Sequence, residues 1–275
     1  MKDEFLKRLE EKLKEESVSN VDEIIAKYEK RYNFGIESGL SEEEIENMLG
    51  DIDEIVLLHK KETKTNNDNK QTIFGSMRVS VETVSDNVLF EESKDDTIHV
   101  YFENIDQDAY EIEKNSLELN IKYIAKKFFG LNRRKPGRII IGIPSGMSLS
   151  KLHLSTVGGD FVSKIDLECR DINIDMVSGD SEFKGIISED FKAHLVSGDI
   201  ELDSLKTSKI NISTVSGDAS IDKLNAVELK VDTISGDLIV REANNDMIVK
   251  SSSISGNVRI NDKKYKNFTG KMEEL

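Results

Sequence analysis

The chain has 275 residues and a formal net charge of -15, from 38 Lys and Arg against 53 Asp and Glu. That length allows more than one domain and a sizeable core. So acidic a surface repels nucleic acid and anionic lipid, and neither nucleic acid binding nor direct membrane insertion is expected.

The first residues, Met1-Lys2-Asp3-Glu4-Phe5, lack the apolar core of a signal peptide, and no stretch approaches the ~18 apolar residues of a membrane span. The expected location is the cytoplasm. Phe5, Leu6, Leu9 and Leu13 fall on one helical face among charges. After Ser19 and Asp22, a second face carries Ile25, Tyr28 and Tyr32, and Gly35 and Gly39 loosen its end. Ser41-Glu42-Glu43-Glu44 forms a capping box before Ile45, Met48 and Leu49. Gly50-Asp51 then closes one helix and opens another bearing Ile52, Ile55 and Val56 or Leu58. Residues 1–62 are therefore predicted to form a small helical bundle with a modest core.

The order Glu4-Phe5-Leu6, a Tyr-rich second helix, Gly39-Leu40-Ser41-Glu42-Glu43-Glu44-Ile45, and Leu49-Gly50-Asp51 before Glu54-Ile55 resembles the HAAS signalling domain of bacterial proteins. The resemblance implies a helical signalling module through which a protein partner docks.

Residues 63–72 are predicted to be a flexible linker, since Lys64-Thr65-Asn66-Asn67-Asp68-Asn69-Lys70 offers nothing to bury. Residues 73–150 read as an irregular start to a repeat domain. Met77 to Phe90 imitates one repeat with its glycine replaced. Strands are then expected around Ile98–Phe102, Leu117–Ile121 and Arg138–Pro144. The basic residues Lys126-Lys127 and Arg133-Arg134-Lys135 are expected in a solvated loop.

From 151 to 262 one phrase returns six times: Val157-Gly158-Gly159-Asp160, Val177-Ser178-Gly179-Asp180, Val196-Ser197-Gly198-Asp199, Val215-Ser216-Gly217-Asp218, Ile234-Ser235-Gly236-Asp237 and Ile254-Ser255-Gly256-Asn257. Its glycines at 159, 179, 198, 217, 236 and 256 set a period of 19 or 20 residues, the mark of a solenoid. Seven positions before each glycine stand Leu152, Ile172, Phe191, Ile210, Leu229 and Val249. Five before stand Leu154, Ile174, Ala193, Ile212, Val231 and the exception Ser251; four after stand Phe183, Leu202, Ile221, Val240, Ile260 and the exception Ser163. These columns alternate with polar residues, so each copy is a strand, a corner and a strand. The predicted class is α+β multidomain: a small helical bundle followed by an all-β parallel β-helix with 19–20-residue coils.

Glycine suits the corner by taking positive φ, and Ser and Asp by bonding nearby backbone. Stacked Asp160, Asp180, Asp199, Asp218 and Asp237 repel unless screened or bridged, which leaves two readings: structural capping, or a calcium ladder. The tail, 263–275, with Tyr265, Phe268 and Met272, is expected to cap the far end.

The series from Val79 through Ile143-Pro144-Ser145-Gly146 into the repeated Val-Ser-Gly-Asp resembles the bacterial putative adhesin family of β-strand-repeat domains, over residues 73 to 262. The resemblance implies a β-helix and no established chemistry.

No catalytic or cofactor-binding residue is assigned. His153 and His194 stand six and four positions before their glycines and form no single ladder; His59 and His99 are isolated. Asp175, Glu201 and Asp232 read as solvated acids, and the single cysteine, Cys169, has no disulfide partner and no metal-ligand spacing around it. The expected function is a non-enzymatic intracellular interaction or scaffold protein whose partner binds through the helical domain, within cell-envelope regulation as the two resemblances together imply. A surface adhesin or calcium-dependent binder is the alternative, and a polysaccharide-acting β-helix enzyme the third.

Overall fold

The computed structural model describes residues 2–16, 21–37, 41–49, 52, 55–56, 74–124 and 137–272. The chain divides into two compact units, Met1–Ile73 and Phe74–Leu275. The linker, the basic residues between 126 and 135, His59, and the Gly39-Leu40 and Gly50-Asp51 signals lie outside the described residues.

In the first unit, helices span Lys2–Glu15, Val21–Glu37 and Glu42–Leu49, with further helical residues at 52 and 55–56. Phe5, Leu6, Leu9 and Leu13 are all buried, as their spacing requires. Tyr28 and Tyr32 are buried with Ile24, while Ile25 is only partly covered, so the second helix turns by about one residue from the expected face. Tyr32 packs against Phe5 at 6.0 Å, and Ile45, Leu49, Ile52, Ile55 and Val56 complete the core. The Ser41 carbonyl accepts from the Ile45 N–H at 2.9 Å, opening the third helix at the predicted cap.

The second unit is a parallel solenoid of two ladders, one on each side of the Ser-Gly-Asp corner. The ladder before the corner runs Glu118–Tyr123, Arg78–Glu82, Ser148–Thr156, the second half of Phe161–Met176, and Asp190–Leu195. It continues through the second halves of Ile200–Thr214 and Ala219–Thr233 to Ile248–Ser253, all parallel. The ladder after it runs Arg138–Ile143, Asn87–Glu92, the first half of Phe161–Met176, and Ser181–Ile187. The first halves of Ile200–Thr214 and Ala219–Thr233, then Leu238–Ala243 and Val258–Ile260, complete it. Phe191↔Ile210↔Leu229↔Val249 and Ala193↔Ile212↔Val231↔Ser251 pair in register, so the predicted columns are true ladders. Every apolar member of the three predicted columns is buried.

Burial also explains the two polar exceptions. Ser163 donates its hydroxyl to the Ile165 carbonyl at 2.8 Å, beside a register shift between Ser163 and Asp166. Ser251 lies in the last coil, where its Oγ donates to the Tyr265 carbonyl and accepts from the Phe268 N–H at 3.1 Å. An inward hydroxyl is satisfied there because the terminal segment supplies backbone partners.

Both ends of both ladders are closed by antiparallel strands. Tyr110–Lys114 pairs with Glu118–Tyr123 and His99–Glu103 with Arg138–Ile143 at one end; Thr269–Lys271 pairs with Ile248–Ser253 and Lys263–Lys264 with Val258–Ile260 at the other. Such strands occupy the hydrogen-bonding edge that a parallel stack otherwise exposes. The repeat-like segment 78–92 is not the outermost coil. Strands Glu118–Tyr123 and Arg138–Ile143 pair on its outer side and Ser148–Thr156 on its inner side, so the chain doubles back before the regular coils begin.

Cys169 sits in the interior, with its thiol donating to the Asp171 carbonyl at 3.2 Å. Burial pushes its pKa up to about 12, so the thiolate is scarce at any ordinary pH. A thiol reagent at neutral pH is expected to label the native chain at least ~100-fold more slowly than the urea-unfolded chain; equal rates would contradict that placement.

Candidate functional site

The corner is built from four columns, each with its own physical cause. In the glycine column a Cβ on Gly179, Gly198, Gly217, Gly236 or Gly256 would fall on the carbonyl oxygen of the preceding glycine. Of the phrase glycines only Gly179 has positive φ, at 96°. Close approach of successive coils, rather than backbone handedness, is therefore what requires glycine at most corners, a correction to the expectation from turn chemistry. At the corresponding place in the 78–92 coil stands Asp86. Its buried carboxylate accepts from the Tyr110 hydroxyl at 2.8 Å and the Gly137 N–H at 2.6 Å, tying the first corner to the antiparallel cap.

In the serine column, Ser178, Ser197, Ser216 and Ser235 donate both N–H and hydroxyl to the carbonyl of the Val two residues before the preceding glycine; the hydroxyl distances are 2.8 to 3.2 Å. Three positions before the glycines, buried Thr214, Thr233 and Ser253 donate inward to the glycine carbonyls of their own corners, at 2.7, 2.8 and 2.5 Å. Thr156 instead accepts from the Gly159 N–H at 2.8 Å.

The aspartate column forms a continuous chain of acceptors. Asp180 N–H donates to Asp160 Oδ1 at 3.0 Å, Asp199 to Asp180 at 3.2 Å, Asp218 to Asp199 at 2.8 Å and Asp237 to Asp218 at 2.7 Å. Amides close both ends: Asp160 N–H donates to Asn87 Oδ1 at 3.0 Å, and Asn257 N–H to Asp237 Oδ1 at 2.7 Å. The backbone of each coil thus offsets the repulsion between stacked carboxylates. Among the described residues, no group of three or more His, Cys, Asp or Glu is placed to hold a metal. The Asn87 end, where a carboxamide oxygen is the acceptor, shows that charge is not needed for the bond. Asp199→Asn is therefore expected to leave the melting temperature within about 2 °C, whereas Asp199→Ala, which strands the Asp218 N–H, is expected to cost about 1–2 kcal/mol in a thermal melt.

The fourth column was missed from the sequence, although it is written in every copy. Val84, Val157, Val177, Val196, Val215, Ile234 and Ile254 point outward in one row and are 40% to 73% exposed. Strand hydrogen bonds fix their register: Val196 N–H reaches the Met176 carbonyl, Val215 the Leu195 carbonyl, and Ile234 the Thr214 carbonyl. With coils ~4.8 Å apart the row is roughly 29 Å long. Only the pairing of β-branched apolar residues with a corner position marked it, and a residue beside a turn is ordinarily taken as part of the bend. A shallow groove runs beside the row over Asp175, His194, Ser213 and Asp232.

The histidines do not come together. His153 lies 3.1 Å from Asn173 and 3.7 Å from Asp175 on the same outer face as His194, but in register with Lys192 rather than with His194 itself. His99 Nε2 sits 2.8 Å from Asp95 Oδ1 in the turn after Asn87–Glu92. The Thr97 hydroxyl and then His99 lower the Asp95 pKa to about 2. Asp232 pairs with Lys230 at 2.9 Å, and Glu201 is solvent-exposed.

Residues 76–273 match the family described as Toastrack DUF4097. Among solved structures, a putative lipid binding protein from Parabacteroides distasonis is similar over 69% of this chain and 89% of its own, with 17% identity and a TM-score of 0.43. No curated protein matches the chain.

Proposed function

We propose, from the premise that this chain belongs to the Toastrack DUF4097 family, that it is a non-enzymatic interaction protein of the bacterial cytoplasm whose solenoid offers the Val and Ile row as a protein-binding strip. The observation that supports this reading is seven β-branched side chains left exposed in one line, on a body whose other apolar columns are filled. A contiguous apolar strip of a few hundred Å² is what binding surfaces carry and what solvated surfaces ordinarily break up. The polar groups of that face support it too: its serine hydroxyls are paired within the solenoid and Asp232 with Lys230. The helical unit, with the likeness to HAAS domains noted above, serves as a second docking element for a partner in cell-envelope regulation.

A photo-crosslinking residue placed at Val196 in the full chain, with Glu201 on another part of the coil as control, tests the reading in bacterial cells. Discrete protein adducts are expected from position 196 and not from 201. Absence of adducts at 196, or equal yields at both positions, would overturn it.

A further inference from the structure

The occupant of the row can be identified by pitch. We infer that it is a second copy of this chain, packed row against row with the two solenoid axes parallel, an inference that rests on the binding role proposed for the strip. Successive apolar side chains recur every ~4.8 Å along the row. An extended peptide laid along it presents same-face side chains every ~6.6–6.8 Å and falls out of step within two or three coils. A helix with a ~5.4 Å pitch drifts by about three-quarters of a step over the same seven positions. A second solenoid has the same spacing by construction, so each Val or Ile of one copy meets a gap or a counterpart of the other along the whole length.

Two features of the flanks favour this occupant. Ser178, Ser197, Ser216 and Ser235 have already given their hydroxyl protons to the Val157, Val177, Val196 and Val215 carbonyls, so covering the strip strands no donor on that side. Charge sets the direction. The row lies between the aspartate column on one side and, on the other, a mixed flank that carries lysine in three coils, Lys192, Lys230 and Lys250, each paired with an acid of its own chain, Asp190, Asp232 and Glu228. A two-fold axis parallel to the solenoids sets the aspartates of one copy against this nearly neutral flank of the other. The antiparallel arrangement sets aspartates against aspartates. For a narrow interface of this kind a Kd on the order of 10 μM is expected.

Val196 is the fourth of the seven residues, the centre of the row, and Ile234 is the sixth. In the parallel dimer each residue faces its own counterpart, so Val196→Cys and Ile234→Cys both give disulfide-linked dimers under mild oxidation of the full chain. In an antiparallel pair only Val196→Cys does. Sedimentation of the purified chain at about 100 μM is expected to show dimer. Val177→Lys with Val215→Lys is expected to weaken association about 100-fold or more. These positions are exposed, and an unchanged melting temperature of the double variant confirms that it folds. Crosslinking at Val196 but not at Ile234 would overturn the parallel arrangement. A chain that stays monomeric, and crosslinks at neither site, would overturn the dimer. In that case, adducts of Val196 with other proteins in cells would leave the proposed binding role intact, whereas their absence as well would remove both.

Discussion

Gly198→Ala is expected to lower the melting temperature of the solenoid by about 10 °C or more, from a cost on the order of 4 kcal/mol. The added methyl falls on the Gly179 carbonyl oxygen, and neither group has room to retreat. On one side of Gly198 the Ser197 N–H and hydroxyl hold the Val177 carbonyl at 3.0 and 3.1 Å; on the other the Asp199 N–H holds Asp180 Oδ1 at 3.2 Å. Relieving the overlap by parting the coils breaks these bonds and opens the Ile172–Phe191 ladder beside them. Gly158 supplies the control. A Cβ there meets the Ser178 Oγ at 3.5 Å, an ordinary contact, and serine occupies this place in all later copies. Gly158→Ser is expected to be neutral or slightly stabilising, with its hydroxyl able to reach the Val84 carbonyl that already accepts from the Gly158 N–H. A thermal melt in which both substitutions cost the same would show that overlap is not what excludes side chains from the glycine column.

Asp86→Ala is expected to be the second most damaging change, by about 3–5 kcal/mol, because it strands two buried donors at once: the Tyr110 hydroxyl and the Gly137 N–H. Its effect should be local before it is global. Tyr110 begins the strand that closes one ladder, and packs edge-on against Tyr123 at 5.5 Å. Hydrogen exchange is therefore expected to rise first in Tyr110–Lys114 and Glu118–Tyr123, while the coils from 168 onward keep their protection. Asp86→Asn, which retains an acceptor oxygen, should recover at least half of the loss. Uniform loss of protection across all coils would place Asp86 in the global core rather than in the cap.

Much of the regular solenoid was legible because its cause is local and repeated. Leu152, Ile172, Phe191, Ile210, Leu229 and Val249 share one place in each copy, and in-register stacking turns that place into an interior ladder. The glycine column was visible for the same reason, but its cause was not. Overlap with the preceding corner is a contact between residues 19 or 20 apart, whereas turn chemistry considers only neighbours. The reversed order at the first end was hidden because pairing of Arg78–Glu82 with both Glu118–Tyr123 and Ser148–Thr156 follows no repeat. The strand Tyr110–Lys114 was missed because only its first residue is buried, which leaves no alternation to detect. In the candidate site, the aspartates were recognised but not their acceptor role, which needs the N–H of the next coil. The Val and Ile row was quoted in every copy yet not recognised as a surface, because a one-dimensional pattern does not say which side of a corner an apolar residue faces.

The antiparallel strands at the two ends also govern how such a molecule can change in size. The junctions among the regular coils from 190 to 240 repeat one hydrogen-bonding pattern, while each terminal junction is unique. A duplication or deletion of one whole unit, begun and ended at equivalent glycines, therefore leaves both closures able to seat on a familiar neighbour. Length in this fold is quantised: it can vary by complete turns in the middle, and the ends stay as they are.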